Sequence, residues 1–291
     1  MAGICSKALI VVVAALALVA GASAASPDVS AMNLRAADVP GAKIVAQGAF
    51  KEKGYIAAYS RSFHFSAPRG SSRLVGLEAE TSLAATPSLA AADVAFTERQ
   101  LRSSAGRKHF IATVAKGAKA KPQAVIVGAL RDIAGYDQGF EVPFSFPVKG
   151  GRRYESFVFL RLDRVFVNMF EQGLRSIKAA DTAKYATAIA GHIGTELSPI
   201  VVLLPTVTGT ARGGQTLTAK PGAWTAADAT FSYQWQRCNA ARSNCADVSG
   251  ATRKTYAVTS ADAGSTLLVV VKATTRFGSS TAPSKPTPIV S

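Results

Sequence analysis

Alternating apolar and polar positions between residues 140 and 173 predict three strands of an antiparallel sheet. Two of them, residues 157–162 and 165–170, flank Asp163 and Arg164, which we expect to form a tight reversal. Both alternating sets are apolar in 157–162, so this strand is expected to be central and buried on both faces. The first strand carries its large apolar residues at every second position: Phe140, Val142, Phe144, Phe146 and Val148.

A helix is predicted over residues 181–197, because its apolar residues recur at helical spacing. A sheet cannot bury an apolar face alone, and we expect this helix to cover the phenylalanine face. The residues that form the stripe are Ala183, Ala186, Ala190, Ile193 and Leu197, widened by Tyr185 and Ile189.

Three more strands are predicted at residues 43–50, 55–65 and 74–83, after a flexible start at residues 26–32. A helix should begin at Thr86 and Pro87, with Leu89, Ala92 and Phe96 along its apolar face, run to about Ser103 and be closed by Gly106. Short strands are expected at 110–114 and 124–130. Residues 32–199 are therefore predicted to form an α+β domain, an antiparallel sheet covered on one side by helices.

Residues 1–24 have the pattern of a secretory signal peptide. Lys7 precedes an apolar run at residues 8–20, and Ala22-Ser23-Ala24 fits a small-residue cleavage site. An uncleaved membrane anchor is the alternative, but the run is short for a span and the cleavage site follows at once. We expect a secreted or cell-envelope protein with no transmembrane span after cleavage.

The formal net charge of +15 becomes +14 without Lys7, and the excess is spread along the chain. Residues 26–204 carry 23 basic and 15 acidic residues, and residues 205–291 carry 9 and 3. This predicts anionic partners such as envelope polymers or lipid headgroups; export and the scarcity of aromatic residues among the charges argue against nucleic acid. The strongest candidate patch lies in a segment without acidic residues, and a solvated loop is its alternative reading: Arg99, Arg102, Arg107, Lys108, Lys116, Lys119 and Lys121.

Only two cysteines follow the predicted cleavage site, Cys238 and Cys245, and in an exported chain this pair predicts a disulfide. The segment 205–288 has short strands, frequent turn residues and no helical pattern, which indicates an all-β module.

Four pieces of this segment follow one another in a characteristic order: Gly213-Gly214-Gln215-Thr216-Leu217, Pro221-Gly222-Ala223-Trp224, Tyr233-Gln234-Trp235-Gln236-Arg237-Cys238 and Asp262-Ala263-Gly264-Ser265. In these pieces the segment resembles the immunoglobulin-like repeat of large secreted actinobacterial proteins. The resemblance implies a β-sandwich that acts as a spacer or adhesion module, with no catalytic residues. It also implies that Trp224 and Trp235 lie in the core, and a ligand platform is the alternative reading of these two rings.

The front domain is similar in element order to exported bacterial envelope proteins with a Mog1/PsbP-like α+β sheet. The order begins at Ala37-Asp38-Val39-Pro40-Gly41 and Tyr59-Ser60-Arg61-Ser62-Phe63. This likeness implies envelope-associated binding and carries no catalytic set.

The sequence lacks the common motifs of catalytic and nucleotide-binding sites. It has no Gly-x-Ser-x-Gly elbow, no phosphate-binding loop and no dinucleotide fingerprint. Neither metal-ligand spacing nor a cofactor motif surrounds the histidines, and His192 is expected to flank the last helix. We therefore expect no enzyme, metal or cofactor. The three histidines are His64, His109 and His192. The residues that a catalytic alternative would use are His64 and the acidic pairs Glu78 with Glu80 and Asp132 with Asp137.

Three functions remain open, and oligomeric state is not predicted. The first is a secreted, non-enzymatic binding protein of the cell envelope with the β-module as spacer or adhesion element. The second is a lipid or small-molecule carrier, which needs an apolar cavity between the phenylalanine face and the 181–197 helix. The third is a secreted hydrolase, which needs the named carboxylates or His64 to converge in one cleft.

Overall fold

The computed structural model describes residues 27–291, which form two compact units, 28–196 and 197–291. The predicted signal peptide lies outside the described residues. No helix within residues 27–291 is both long and apolar enough to cross a lipid bilayer.

The first unit combines four helices with an antiparallel sheet. The helices are α1 (Val29–Met32), α2 (Pro87–Arg102), α3 (Ser104–Ala118) and α4 (Ala179–Glu196), with short 3-10 turns at Ala36–Asp38 and Pro122–Ala124. The strands are β1 (Ala42–Phe50), β2 (Tyr55–Arg69), β3 (Leu74–Ala84), β4 (Ile126–Val127), β5 (Arg131–Asp132), β6 (Gln138–Val148), β7 (Gly151–Leu162) and β8 (Val165–Gly173).

The eight strands form one sheet in the order β1-β2-β3-β8-β7-β6-β4, with β5 also paired to β6. The predicted antiparallel meander is confirmed: β6, β7 and β8 are consecutive hairpin partners, and Asp163 turns the second hairpin with a φ of 56°. The prediction of a central strand is also confirmed, since residues 155–160 of β7 are all buried. Of the predicted strand 124–130, only Ile126–Val127 pairs.

The phenylalanine face packs against α2 and α3, so the predicted cover by the last helix is wrong. Phe110 of α3 contacts Phe144 and Phe157 edge-on, with ring centroids 5.3 and 6.2 Å apart. The buried residues that α2 supplies to the unit are Ala90, Val94 and Leu101, not the predicted Leu89, Ala92 and Phe96.

Residues 110–114 belong to α3, which corrects the predicted short strand. Ser103 separates α2 from α3 with an extended backbone, and its hydroxyl accepts from the Gly106 amide at 3.0 Å. Gly106 therefore lies in the first turn of α3 and does not close α2. A Cβ at Gly106 would lie 2.0 Å from the Gln100 carbonyl oxygen, so this close helix junction requires glycine.

Helix α4 covers the opposite face of the sheet. Thr182 donates to Glu171 Oε2 at 2.7 Å, and Glu171 points away from the side on which Phe170 packs. The sheet is thus covered on both faces, not on one, because its central strands are apolar on both. The buried residues of α4 are Thr182, Tyr185, Ala186, Ile189 and Ile193, while Ala183 is exposed.

Two features lie at the start of this unit. Residues 29–32 form α1 with buried Val29 and Met32, where a flexible start was predicted. In β1, the pairing with β2 slips between Ile44 and Ala46, so that Val45 bulges out and is 62% exposed.

The second unit is all-β, with β9 (Val201–Leu203), β10 (Thr206–Thr208), β11 (Thr216–Lys220), β12 (Ala223–Trp224), β13 (Thr230–Cys238), β14 (Ala246–Asp247), β15 (Thr255–Ala257), β16 (Thr266–Thr275) and β17 (Gly278–Pro283). They form a three-stranded sheet β10-β11-β15, a four-stranded sheet β14-β13-β16-β17 and a β9–β12 pair. Trp235 is fully buried among residues of both larger sheets, and its indole donates to the Arg253 carbonyl at 3.0 Å. Trp224 is buried in the same core, as predicted.

Two local constraints hold the strand ends of this unit. Cys238 and Cys245 form the predicted disulfide, which closes the loop after β13. Asp262, fully buried, accepts from Arg237 Nε at 2.7 Å, the Thr259 amide at 2.7 Å and the Tyr256 hydroxyl at 2.9 Å. Burial alone would raise the pKa of Asp262, but these donors hold it below its ordinary value.

We predict that Phe110→Ala destabilises the first unit by about 3–5 kcal/mol, because it removes a buried ring that contacts two others. His109→Ala, an exposed neighbour on the same helix, should change the free energy of unfolding by less than about 0.5 kcal/mol. Urea unfolding followed by circular dichroism measures both. Equal effects of the two substitutions would contradict the packing of α3 on the phenylalanine face.

Replacing both Cys238 and Cys245 by serine should destabilise the second unit by roughly 2–3 kcal/mol, the loop-entropy value for so short a ring. Calorimetry of the oxidised protein and the double variant gives the difference. A loss below about 0.5 kcal/mol would show that the loop between the cysteines is already ordered without the cross-link.

Candidate functional site

Two of the seven predicted patch residues have structural partners. Arg102 lies 2.8 Å from Glu98 and 3.2 Å from Asp132 in two ion pairs. Arg107 donates to the Val127 carbonyl at 3.0 Å and so ties α3 to β4. Both arginines join the helical layer to the sheet edge, and we do not count them as ligand-binding groups.

Three exposed lysines form a row along the solvent side of α3. Lys116 and the capping residue Lys119 follow Lys108 by eight and eleven positions. At 3.6 residues per turn, this spacing places the three lysines on one helix face over about 16 Å. None of them makes an ion pair with another described residue. We call them the α3 lysine row; Arg99 and Lys121 are exposed beyond its two ends.

A second group of cations, which the sequence did not predict, gathers at one end of the sheet. Strand β2 ends at Arg69, and β3 begins beside the last residue of β8, since Leu74 and Gly173 are register partners. The turns that leave these strand ends therefore meet. We call the five exposed residues that they and α4 contribute the cationic sheet end: Arg69, Arg73, Arg175, Lys178 and Lys184.

Ser72 and Asp181 hold the cationic sheet end together. Ser72 donates to Asp181 Oδ2 from its amide at 2.7 Å and from its hydroxyl at 2.5 Å, and the Ser71 hydroxyl adds a bond at 3.2 Å. The Ser72 hydroxyl also accepts from the Lys178 amide at 2.8 Å. Although burial opposes it, these serine donors keep the pKa of Asp181 below its ordinary value, so this carboxylate is ionised and well bonded.

A cleft of about 310 Å³ opens at the same place, between the end of β2 and the first turns of α4. The aromatic residues Phe65 and Tyr185 border this cleft and are themselves buried, with exposures of 2% and 4%. Arg69 lies against Gly41, where a Cβ would approach its guanidinium to 3.1 Å. The lining residues are Pro40, Gly41, Phe65, Arg69, Gly70, Asp181, Lys184 and Tyr185.

No sequence pattern predicted the cationic sheet end, because its members come from segments more than a hundred residues apart. The local signals were arginines next to glycine or serine turns, which are common on any surface. Only the β3–β8 pairing, absent from a strand-by-strand reading, brings Arg73 and Arg175 together.

The carboxylates proposed for catalysis are divided among separate partners. Asp132 pairs with Arg102, and Asp137 lies 3.1 Å from Arg161. Glu78 and Glu80 share one face of β3, as expected. His64 is exposed and faces Gly76 across the strand pair, two positions from Glu78. The contacts of these residues do not bring the pair Glu78 and Glu80 together with the pair Asp132 and Asp137.

His192 and His109 take up different places. The His192 ring lies 3.0 Å from the Asn33 carbonyl and 3.7 Å from Asp38, which links α4 to the segment after α1. His109 is exposed on α3. In the part of the chain that the structure describes, no three His, Cys, Asp or Glu side chains are grouped to hold a metal ion.

Three glutamates are buried where the sequence predicted only strand residues; Glu141 pairs with Arg131, and the other two, Glu155 and Glu171, lie on opposite faces of the sheet. Glu155, on the phenylalanine face, is 4% exposed and accepts from the Gln172 amide at 3.1 Å. Glu171, fully buried under α4, accepts from Thr182. Burial raises the pKa of Glu155 and of Glu171 to about 7, because a single donor does not offset the loss of hydration.

Comparison with known proteins adds little to this description. No protein-family model and no curated protein sequence matches the chain. The extracellular domain of PknH from Mycobacterium tuberculosis aligns with 60% of this chain and 96% of its own, at 10% identity and a TM-score of 0.36. A TM-score of this size does not establish a common fold.

The raised pKa of Glu155 predicts a pH-dependent stability. A carboxyl that binds its proton more tightly in the folded state stabilises the fold below its unfolded pKa, near 4.3, and this contribution is lost as the pH rises through about 7. Glu155→Gln removes the titration and keeps an acceptor for Gln172. The loss of stability between pH 5 and pH 8 should therefore shrink by roughly 2–3 kcal/mol.

Chemical unfolding at several pH values measures this slope. Asp132→Asn, at a side chain that is 82% exposed, is the control and should run parallel to the unsubstituted protein. Parallel profiles for Glu155→Gln as well would show that Glu155 titrates normally in the folded state.

Proposed function

We propose that this chain is an exported, non-catalytic binding protein whose first unit holds an anionic component of the cell envelope through the α3 lysine row. The observation that carries the proposal is the row itself: three exposed, unpaired lysines on one face of a helix that is anchored by Phe110 and Val114. A rigid helix presents these charges at fixed spacing, so little order has to be gained on binding.

Export is supported by two independent features. The leader pattern of residues 1–24 is typical of a secretory signal. The disulfide between Cys238 and Cys245 fits an oxidising compartment. An exported protein with net charge +14 after cleavage meets anionic wall polymers and lipid headgroups before other partners.

The second unit is proposed to be an immunoglobulin-like spacer or adhesion module. Two antiparallel sheets with a buried tryptophan between them fit such a module, as does the likeness of its sequence to the actinobacterial repeat. Trp235 stacks on Tyr256 at 5.4 Å and Trp224 is buried, so both rings serve the core rather than a ligand platform.

The other two functions receive less support. A carrier cavity between the phenylalanine face and α4 cannot form, because α4 lies on the opposite face of the sheet. A hydrolase would have to use residues other than the pair Asp132 and Asp137, because these two carboxylates bind separate arginines.

Co-sedimentation with isolated cell envelopes tests the binding role. The mature protein should sediment at 20 mM salt and be released as the salt rises toward 500 mM, because exposed charges are screened at these concentrations. Lys108→Glu, Lys116→Glu and Lys119→Glu combined should reduce retention at 100 mM salt by at least about tenfold, since three attractive contacts become repulsive.

The matched control reverses three exposed lysines of the second unit, Lys220→Glu, Lys254→Glu and Lys272→Glu, which changes the net charge equally. This variant should keep more than half of the retention. An equal loss in both triple variants would mean that net charge alone drives binding, and absence of retention at 20 mM salt would refute the envelope-binding role.

A further inference from the structure

We propose that the cleft at the cationic sheet end is a binding site for a phosphate monoester. It lies on the α4 side of the sheet, whereas the α3 lysine row lies on the other, so the two cationic surfaces are separate. The inference therefore goes beyond the proposed function and does not depend on it.

The two cations that line the cleft, Arg69 and Lys184, have side chains available for a ligand. Arg69 makes no hydrogen bond or ion pair with another described residue, and Lys184 only passes 5.2 Å from the ring centre of Tyr185. They stand on different elements, β2 and α4, and both line the cleft. A guanidinium can bind two phosphate oxygens at once, and an ammonium adds a point charge beside it.

Asp181 is the single acidic residue that lines the cleft, and it already has hydrogen-bond partners. Asp181 accepts three hydrogen bonds from Ser71 and Ser72, which disperse its charge and fix it in place. Its position is set further by Gly70, where a Cβ would lie 2.6 Å from Asp181 Oδ1. Asp181 thus holds the turn, while Arg69 and Lys184 remain for an incoming anion.

The charge balance favours phosphate over carboxylate. Arg73, Arg175 and Lys178 do not line the cleft, but they are exposed on the adjoining turns and add positive charge to the same sheet end. A phosphate monoester carries about −1.5 to −2 near neutral pH and offers three acceptor oxygens, whereas a carboxylate carries a single charge. A dianion therefore matches this site better than a monoanion.

The shape of the cleft sets the size of the ligand. A volume of about 310 Å³ is at the lower end of the range for small-molecule sites, which suits a monosaccharide-sized group next to the phosphate. Pro40 and Gly41 are exposed and supply apolar surface for that group, and the rings of Phe65 and Tyr185, 2% and 4% exposed, lie behind it. Burial and the nearby carboxylates Glu171 and Asp181 raise the pKa of Tyr185 to about 12, so its hydroxyl keeps its proton and adds no negative charge.

The monoester can come from a soluble sugar phosphate or from a lipid headgroup, and two probes distinguish these sources. Glucose 1-phosphate is titrated into the mature protein by calorimetry at 150 mM salt. Vesicles of phosphatidylcholine with phosphatidic acid are tested by flotation at the same salt with the variant in which Lys108, Lys116 and Lys119 are replaced by glutamate, so that the α3 lysine row does not contribute. Binding of either probe is expected, and the probe that binds identifies the source; binding of neither overturns the proposal.

Arg69→Gln combined with Lys184→Gln should weaken the binding by at least about tenfold, because two charge-assisted contacts are lost. Both side chains are exposed, and Lys184→Gln alone, at a helix surface position, covers the case in which the double variant is unstable. Lys51→Gln with Lys53→Gln removes two exposed cations from the β1–β2 turn and should leave the affinity unchanged.

Two further results would overturn the assignment. Glucuronate, a sugar of similar size that carries a carboxylate and no phosphate, should bind at least about tenfold more weakly than glucose 1-phosphate; equal affinity would refute a phosphate site. Unchanged affinity of the Arg69 and Lys184 variants would place the binding elsewhere. Charge reversal of the α3 lysine row should not alter glucose 1-phosphate binding, so the two proposals fail separately.

Discussion

The burial of β7 on both faces is the constraint from which the first unit follows. Its residues 155–160 are all buried, and such a strand is stable only between two apolar layers. Helices α2 and α3 supply one layer and α4 the other. Because each layer also has an outer surface, the unit presents two helical faces to solvent on opposite sides of the same sheet.

Four carboxylates of this protein differ in pKa according to how many hydrogen-bond donors surround them. Asp181 and Asp262 each accept at least three hydrogen bonds, and their pKa values fall. Glu155 and Glu171 each accept one bond from a side chain, and their pKa values rise. The difference follows from hydration: several donors replace the water that an ionised carboxylate loses, and one donor does not. The ionised pair fixes turns, whereas the glutamates lie within strands.

Period-two alternation predicted the strands β6 to β8 and their central member, since large apolar residues at every second position leave few alternatives. The same signal was misleading for residues 110–114, where Phe110 and Val114 are also one helical turn apart. Local spacing cannot separate these readings without the cap at Ser103. The choice of which helix covers the phenylalanine face depends on long-range packing, so it could not be read from the order of elements.

The two proposed binding surfaces differ in the same way. The α3 lysine row is a run of near neighbours, and its residues were named from sequence, although Arg102 and Arg107 could be separated from it only through their contacts with Glu98 and Val127. The cationic sheet end needs strand pairing between β3 and β8, and its cleft needs α4 placed beside β2. Neither relation is encoded in a short stretch of sequence.

The slip in β1 has a consequence for how this sheet meets other chains. A sheet with a regular outer strand offers its unpaired amides and carbonyls as a template for further strands. At Val45 the backbone departs from the ladder, so an added strand could follow this edge in register for only a few residues on either side. The irregularity of the main chain at Val45 therefore limits the addition of further strands along the β1 edge.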